Sequence, residues 1–417
     1  MTVSAQPSSV PAPDDTDHAA DPGIQRQAIQ LEARVAGRLD EERLRSAVRD
    51  GACGHATAQA VELPTDDTGQ GEPRQPGVGS DIDALEVVDC PDDAALGAQR
   101  AALYSSGAAH PESAPLRVCL ARHPEGDVVM LSADDAVFDG FGSLRVLQSI
   151  AGAYGGATVP EPGDVTPTGT VEGQVAPEPP WRQRRPWRTL LAKAIDLSAR
   201  SARLGTDQPS GDDGCGFHHL RLPVPDPHLG VTVTDQLAAA LNMAVDGWNA
   251  EHGVSFRRIG VLIPVDRRPA AGGNAAAGKD TLGLRVSTRA VDRTTPQRVL
   301  DAVVSQSGEV DHPDVERRLS PVAGRTGTHF NETALLCDLG WVAVPPNFGP
   351  GAGTAAELWF SCPPRFPCGL ALCGVRLGDA LHLVFRYRRT LWGPDAAARF
   401  AERFRVELHL LIRETAS

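Results

Sequence analysis

The sequence lacks several features that define common functional classes. Aromatic residues are only 5% of the 417 residues, the formal net charge is -13, and no run of about 18 apolar residues occurs. A nucleic acid or an anionic membrane is not expected as a partner, because such partners need a cationic protein surface. A small molecule or another protein is the expected partner, and no membrane-spanning helix is expected.

A secretory signal and closely paired cysteines are also missing. Residues 1–23 are polar, Pro-rich and acidic, so they are predicted to form a disordered tail. The eight cysteines include no CxxC pair, and without a secretory signal they are predicted to be reduced thiols. Both observations favour a cytoplasmic location.

A zinc site is not expected from the cysteines and histidines. Cys362, Cys368 and Cys373 are loosely spaced, unlike the ligands of a typical zinc site. The adjacent His218 and His219 lie in a predicted strand, where neighbouring side chains point to opposite faces. These residues are therefore interpreted as structural, and no bound metal is expected.

Hydrophobic periodicity predicts strands and helices in mixed order. Strands are predicted at residues 27–37, 215–225, 256–269, 282–291, 334–345 and 369–389, a hairpin at 115–134, and helices at 39–52, 94–107, 142–156, 232–253, 295–310 and 393–414. The predicted fold class is α+β with a two-layer sandwich in each half, because the order is not strictly βαβ. Asp40 is predicted to cap the first helix, and Thr234 or Asp235 the helix at 232–253.

Composition divides the chain into two predicted units. Residues 156–214 are rich in Pro, Gly, Thr and Glu, and they are predicted to form a crossover linker between units at 24–155 and 215–417. A basic cluster in this linker is interpreted as a solvated face, with docking of an acidic protein as the alternative. The cluster comprises Arg182, Arg184, Arg185 and Arg188.

Three carboxylates crowd the end of one predicted strand. Residues 131–148 predict a buried strand, a sharp Gly-containing turn and a helix, with Asp134, Asp135 and Asp139 at the turn. Their DDxxxD spacing is similar to the magnesium-binding motif of isoprenoid synthases, but that motif lies on helices of aromatic-lined folds. No GxSxG nucleophile elbow is present, and Ser143 is interpreted as a helix-start residue.

The carboxylate turn resembles the active-site segment of the condensation-domain superfamily. This superfamily includes chloramphenicol-acetyltransferase-like enzymes, peptide-synthetase condensation domains and polyketide-associated acyltransferases of actinobacteria, and its motif is HHxxxDG. The segments "GRLDEERLRSAVRD", "GVLIPVDRRP", "LLCDLGWVAVPPNFGPG" and "GDALHLVFRYRRTLWGPDAAARFAERF" resemble other family segments in the same order. The resemblance covers roughly residues 27–415.

The resemblance implies two similar subdomains in a V, with a tunnel at their junction. It implies an acyl donor on the phosphopantetheine of a carrier protein or on coenzyme A, a small-molecule amine or hydroxyl acceptor, and no bound cofactor. Asp139 is expected to be structural and to pair with Arg268, with Arg267 as the alternative, because a buried carboxylate needs a partner. Further expected site residues are Asp134 on the scaffold side, Gly140 beside Asp139, and Phe141, Cys337 and Asn347 in the tunnel.

The sequence departs from the family at the catalytic histidine, whose place is taken by Asp135. A carboxylate is the weaker base, with an ordinary pKa of about 3.9 against about 6.5 for histidine. A second departure places Asp338 where the family usually has an amide, so two catalytic acids, Asp135 and Asp338, are expected to share a proton. The predicted function is acyl transfer in natural-product biosynthesis, with cyclisation, dehydration or rearrangement of a bound intermediate, or binding without catalysis, as alternatives.

Overall fold

The fold is described by a computed structural model of the chain. It describes residues 28–53, 85–105, 115–135, 137–156, 201–212, 214–225, 231–254, 258–266, 281–307, 320–321, 332–364 and 368–415. The predicted tail at 1–23, residues 157–200 of the predicted linker with its basic cluster, and both Arg267 and Arg268 lie outside these residues. None of the helices in the described ranges is long and apolar enough to cross a membrane.

The first sheet has five strands in the order β10-β1-β4-β3-β2. Its strands are β1 (Ala28–Arg34), β2 (Leu85–Asp89), β3 (Leu116–Arg122), β4 (Val128–Asp134) and β10 (Glu357–Ser361), and its helices are α1 (Glu41–Cys53), α2 (Asp93–Ser105) and α3 (Gly140–Gly155). Alternate residues of β4 point to opposite faces, as in any strand. Val129, Leu131 and Ala133 pack in the core that contains α1 and α3, whereas Val128 and Met130 pack with α2.

The second sheet has seven strands in the order β5-β12-β11-β9-β6-β7-β8. Its strands are β5 (Cys215–Pro223), β6 (Arg258–Asp266), β7 (Thr281–Arg289), β8 (Ser320–Pro321), β9 (Ala334–Trp341), β11 (Leu370–Leu377) and β12 (Ala380–Arg388), with helices α4 (Val233–Glu251), α5 (Pro296–Ser307) and α6 (Pro394–Thr415). One face of this sheet packs against the helices through aromatic side chains such as Phe385, Phe400 and Trp248.

The other face of the second sheet is packed into the core of the first. Leu335 and Leu339 of β9 and Val375 of β11 belong to the same buried cluster as Leu31 of β1 and Leu147 of α3. One continuous apolar core therefore joins the two halves. The predicted α+β class, with a sheet-and-helix sandwich in each half, is confirmed.

Strand β10 was not predicted, and it crosses between the halves. It lies in a Pro- and Gly-rich stretch of the predicted C-terminal unit, but it pairs antiparallel with β1 in the first sheet, with Ser361 opposite Gln30. The stretch at 369–389 was predicted as one strand, and it is the hairpin of β11 and β12, which turns at Gly378 with φ of 59°. Glycine adopts that φ without the steric cost that a Cβ imposes.

The N-cap of α1 was predicted correctly from the sequence, and the N-cap of α4 was not. Asp40 caps α1 as predicted, because its carboxylate accepts a hydrogen bond from the Arg43 amide at 2.8 Å. The prediction for α4 was wrong, since the cap is Thr232, whose hydroxyl accepts from the amide of Asp235 while Asp235 accepts from the Thr232 amide. This capping box satisfies two free helix amides at once, and it leaves Thr234 available for a contact described below.

Two histidines, His219 and His382, lie near the join between the sheets. His219 of β5 stacks on Trp359 of β10 with ring centroids 4.4 Å apart, and His382 of β12 meets the same Trp359 edge-on at 4.7 Å. His382 is 1% exposed, and neither of its ring nitrogens has a hydrogen-bond partner within the described part of the chain. Burial lowers the pKa of His382 to about 4 and that of His219 well below its usual value.

We expect His382 to make the fold acid-sensitive. Because its folded-state pKa is below its unfolded value of about 6.5, its stabilising contribution is complete above that pH and is lost as pH falls toward 4. His382→Leu removes the titrating group, so between pH 8 and pH 5 it should lose less stability than the wild type, by about 2 kcal/mol. Urea unfolding at both pH values measures this difference.

His409→Leu is the matched control, because His409 is exposed on α6. It should lose as much stability between the two pH values as the wild type. An equal loss in His382→Leu and the wild type would show that His382 does not titrate as described.

Candidate active site

The candidate site is a pocket at the join between the two sheets. Its lining includes Asp135, Asp139, Gly140, Phe141, Cys337 and Asp338 from the predicted site, together with Ile29, Pro264, Thr281, Leu335, Leu339, Phe360, Cys362 and Pro363. Most of these additional residues are apolar.

The turn after β4 separates Asp134 from Asp135. The carbonyl oxygen of Asp134 accepts hydrogen bonds from the amides of Val137 at 3.0 Å and Phe138 at 2.9 Å, which reverses the chain. Phe138 is fully buried and anchors the turn in the core. Asp134 is buried outside the pocket lining, whereas Asp135 is partly exposed and lines the pocket.

Asp139 begins helix α3 as its N-cap. Its Oδ1 accepts a hydrogen bond from the Gly142 amide at 2.8 Å, and its backbone oxygen accepts from the amide and the hydroxyl of Ser143, both at 2.9 Å. A carboxylate at a helix N-terminus is also favoured by the helix dipole. The predicted pairing with Arg268 involves a residue outside the described ranges and stays a prediction.

Gly140 allows the start of α3 to contact both β9 and β10. A Cβ built at this position would lie 2.7 Å from Phe360 Cζ and 2.8 Å from Leu339 Cδ2. Phe360 and Leu339 are themselves buried and line the pocket. The missing side chain therefore sets the distance between the Asp135 turn and the second sheet.

Asp338 lies on β9, and its side chain is only 1% exposed. Its carboxylate accepts hydrogen bonds from the Thr234 hydroxyl at 2.7 Å and the Gly340 amide at 2.9 Å, and it pairs with the Arg376 guanidinium at 3.6 Å. These contacts tie β9 to α4 and β11. A proton shared between Asp338 and Asp135 stays a prediction.

A cluster of three thiols forms part of the pocket wall. Cys337 Sγ lies 3.1 Å from Cys362 Sγ, which lies 3.2 Å from Cys373 Sγ. Hydrogen bonds to Cys337 and Cys373, together with burial, raise the pKa of the Cys362 thiol. The sequence did not indicate this cluster, because it depends on the parallel pairing of β9 with β11 and on the unpredicted strand β10.

Asn347 lies outside the pocket lining, contrary to its predicted place in the tunnel. It is exposed in the loop after β9, and its Oδ1 accepts a hydrogen bond from the Gly349 amide at 2.9 Å. The side chain shapes its own loop instead of reaching the pocket. Within the described residues, no group of three or more His, Cys, Asp or Glu side chains could hold a metal ion.

Comparisons with known proteins agree with this architecture. No family model matches the chain. An uncharacterized protein, found in two strains of Mycobacterium tuberculosis, is 29% identical over 415 residues, which is 91% of this chain and 94% of that protein.

Solved structures define the fold. The first condensation domain of the CDA synthetase is 18% identical, with 94% of this chain and 92% of that one covered and a TM-score of 0.57. A starter condensation domain of rhizomide synthetase, solved with C8-CoA and Leu-SNAC, is 14% identical, with 93% and 90% covered and a TM-score of 0.59. The epimerization domain from the third module of tyrocidine synthetase B is 14% identical, with 94% and 93% covered and a TM-score of 0.56.

The chain thus has the condensation-domain fold over more than nine-tenths of its length. At such low identity the likeness shows the fold alone. The activity has to be argued from the pocket and from Asp135.

Alanine substitutions at two glycines of α3 should change the stability of the protein in opposite directions. Gly140→Ala forces a methyl group against Phe360 and Leu339, and overpacking of this kind costs about 1–3 kcal/mol. Gly152→Ala meets nothing within 4 Å and should stabilise the helix by up to about 1 kcal/mol. Denaturant unfolding of both variants measures the difference, and a Gly140→Ala variant as stable as the wild type would contradict the close packing.

Proposed function

We propose that the protein transfers an acyl or aminoacyl group from a thioester to an amine or hydroxyl acceptor, in the biosynthesis of a natural product. The donor in this proposal is carried on the phosphopantetheine arm of a carrier protein or on coenzyme A. The observation that carries the proposal is the position of Asp135. It directly follows the first-sheet strand β4 and lines the pocket beside the N-terminus of α3, within a condensation-domain fold.

The pocket lining supports a thioester substrate. Its walls are largely apolar, through residues such as Ile29, Leu335 and Phe360, as an acyl chain requires. The rhizomide synthetase neighbour was solved with C8-CoA and a leucine thioester mimic, so this fold accommodates both kinds of ligand. We also place the reaction in the cytoplasm, where the free thiols of the protein stay reduced.

In the proposed reaction, the carboxylate of Asp135 accepts the proton that the acceptor loses. The acceptor nitrogen or oxygen forms a bond to the thioester carbonyl carbon, and the carbon–sulfur bond then breaks. The acceptor proton passes by way of the Asp135 carboxylate to the departing thiolate. Because a carboxylate is a weaker base than imidazole, Asp135 passes the proton on, and the leaving thiolate is the final base.

Asp338 has a supporting role in this proposal. The hydroxyl of Thr234, the amide of Gly340 and the guanidinium of Arg376 hold its carboxylate in place on β9. These contacts therefore fix β9 where it forms the pocket wall. Proton transfer is assigned to Asp135, because three protein groups already hold the carboxylate of Asp338.

A rearrangement of a bound intermediate is the second candidate. The observation that favours it is the likeness to the epimerization domain of tyrocidine synthetase B, which matches this chain over a similar length. In that case Asp135 would remove a proton from a tethered intermediate, and the thioester would remain intact.

Asp135→Asn should abolish acyl transfer. The amide cannot accept a proton, and loss of a general base costs about 10²–10⁴-fold in rate. Asp135→Glu keeps the carboxylate but displaces it by about 1 Å, so a loss of about 10²-fold is expected. The measurement is intact-mass analysis of acylated carrier proteins and acyl-CoA donors with amine and alcohol acceptors, in which transfer appears as acceptor-dependent loss of the acyl group.

Asp89→Asn is the matched control, because Asp89 is an exposed carboxylate at the end of β2. It should react at the wild-type rate. Equal turnover by Asp135→Asn and the wild type would exclude a catalytic role for Asp135. A changed intermediate with the tether intact would support the rearrangement, and binding of thioesters without any turnover would contradict both reactions.

A further inference from the structure

The thiol cluster, defined as Cys337, Cys362 and Cys373, brings together residues from both sheets. Cys337 of β9 and Cys373 of β11 are direct partners in the parallel pairing of the second sheet. Cys362 directly follows β10, which belongs to the first sheet. All three cysteines are reduced.

The three thiols differ in how a reagent can reach them. Cys337 is partly exposed and, like Cys362, lines the pocket. Cys362 is 5% exposed and Cys373 is completely buried. A small molecule that enters the pocket therefore meets Cys337 first, with the sulfur of Cys362 only 3.1 Å behind it.

Exposure and distance set the chemical roles of Cys337 and Cys362. The thiol of Cys362 donates a hydrogen bond to Cys337 Sγ. Cys337 is assigned as the attacking thiol because it is the more exposed of the two, and Cys362 is assigned as the resolving thiol because its sulfur lies 3.1 Å away.

We propose that Cys337 and Cys362 form an oxidation site, at which a peroxide that enters the pocket converts the two thiols into a disulfide. Cys337 Sγ attacks a peroxide oxygen, the O–O bond breaks, and Cys337 becomes a sulfenic acid with release of water or an alcohol. Cys362 Sγ then attacks the Cys337 sulfur, the S–O bond breaks, and water leaves with the Cys362 proton. The two thiols lose two electrons, and the peroxide gains them.

Formation of the bond has a structural consequence at the pocket. The two sulfurs need to approach by about 1 Å, from 3.1 Å to a bond length of about 2.05 Å. The disulfide would fasten the end of β10 to β9 across the join between the sheets, next to Asp338. Oxidation would therefore fix the spacing of the two halves at the pocket, whether or not acyl transfer occurs there.

The test is disulfide mapping on the full chain. The reduced protein is treated with hydrogen peroxide under native conditions, alkylated, unfolded and digested with trypsin. Cys337 and Cys362 fall in one tryptic peptide, residues 326–365, and Cys373 in the next, residues 366–376. The expected result is the loss of two hydrogens from the peptide 326–365, reversed by dithiothreitol, and cleavage after Trp341 should give two peptides joined by the disulfide.

Variants and an internal control make the result decisive. Cys337→Ser should lose the disulfide, and Cys362→Ser should leave a Cys337 sulfenic acid that dimedone traps. Cys215, which is partly exposed on β5, reports that the peroxide reached a reactive concentration. Oxidation of Cys215 while the peptide 326–365 keeps both hydrogens would overturn the proposal, and so would a Cys362–Cys373 disulfide that forms equally in Cys337→Ser.

A melting experiment gives a second readout that does not depend on peptide recovery. The oxidised wild type should unfold at a higher temperature than the reduced protein, because the crosslink restricts the unfolded chain. The increase should vanish with dithiothreitol and should be absent in Cys337→Ser. An equal increase in Cys337→Ser would overturn the proposal.

Discussion

The contact of Gly140 with Leu339 and Phe360 is the constraint on which the site depends. It brings the N-terminus of α3 against β9 of the second sheet and β10 of the first, at the point where the two halves share a core. The turn that holds Asp135 immediately precedes this contact, and the pocket is the space left beside it. A larger residue at position 140 would separate the elements that form the pocket walls.

The sequence was sufficient wherever structure is decided locally. The buried strand, the turn and the helix around Asp135 follow from apolar alternation and a Gly-containing stop, and the cap at Asp40 follows from residue type. The capping of α4 was not predictable to the residue, because Thr232, Thr234 and Asp235 are all suitable caps. A tertiary contact distinguishes Thr234, since its hydroxyl donates a hydrogen bond to the carboxylate of Asp338 on β9.

The sequence did not predict the features that depend on pairing between strands far apart in the chain. Strand β10 is short and flanked by Pro and Gly, and it becomes a strand only because β1 offers an unpaired edge. The thiol cluster follows from β10 and from the parallel register of β9 with β11, so no spacing along the chain reveals it. The sequence was also insufficient for Asn347. Its segment resembles a family segment, but the resemblance did not show that the side chain lies outside the pocket lining and accepts a hydrogen bond within its own loop.

The central claim is that a carboxylate at position 135 performs the work of the missing histidine on a thioester substrate. The most direct measurement is a crystal structure with a non-hydrolysable acyl-CoA analogue and an amine acceptor. The account predicts the acyl group in the pocket and the acceptor nitrogen within about 2.6–3.2 Å of the Asp135 carboxylate, as a group that accepts its proton requires. A ligand bound outside the pocket, or an acceptor beyond reach of Asp135, would contradict it.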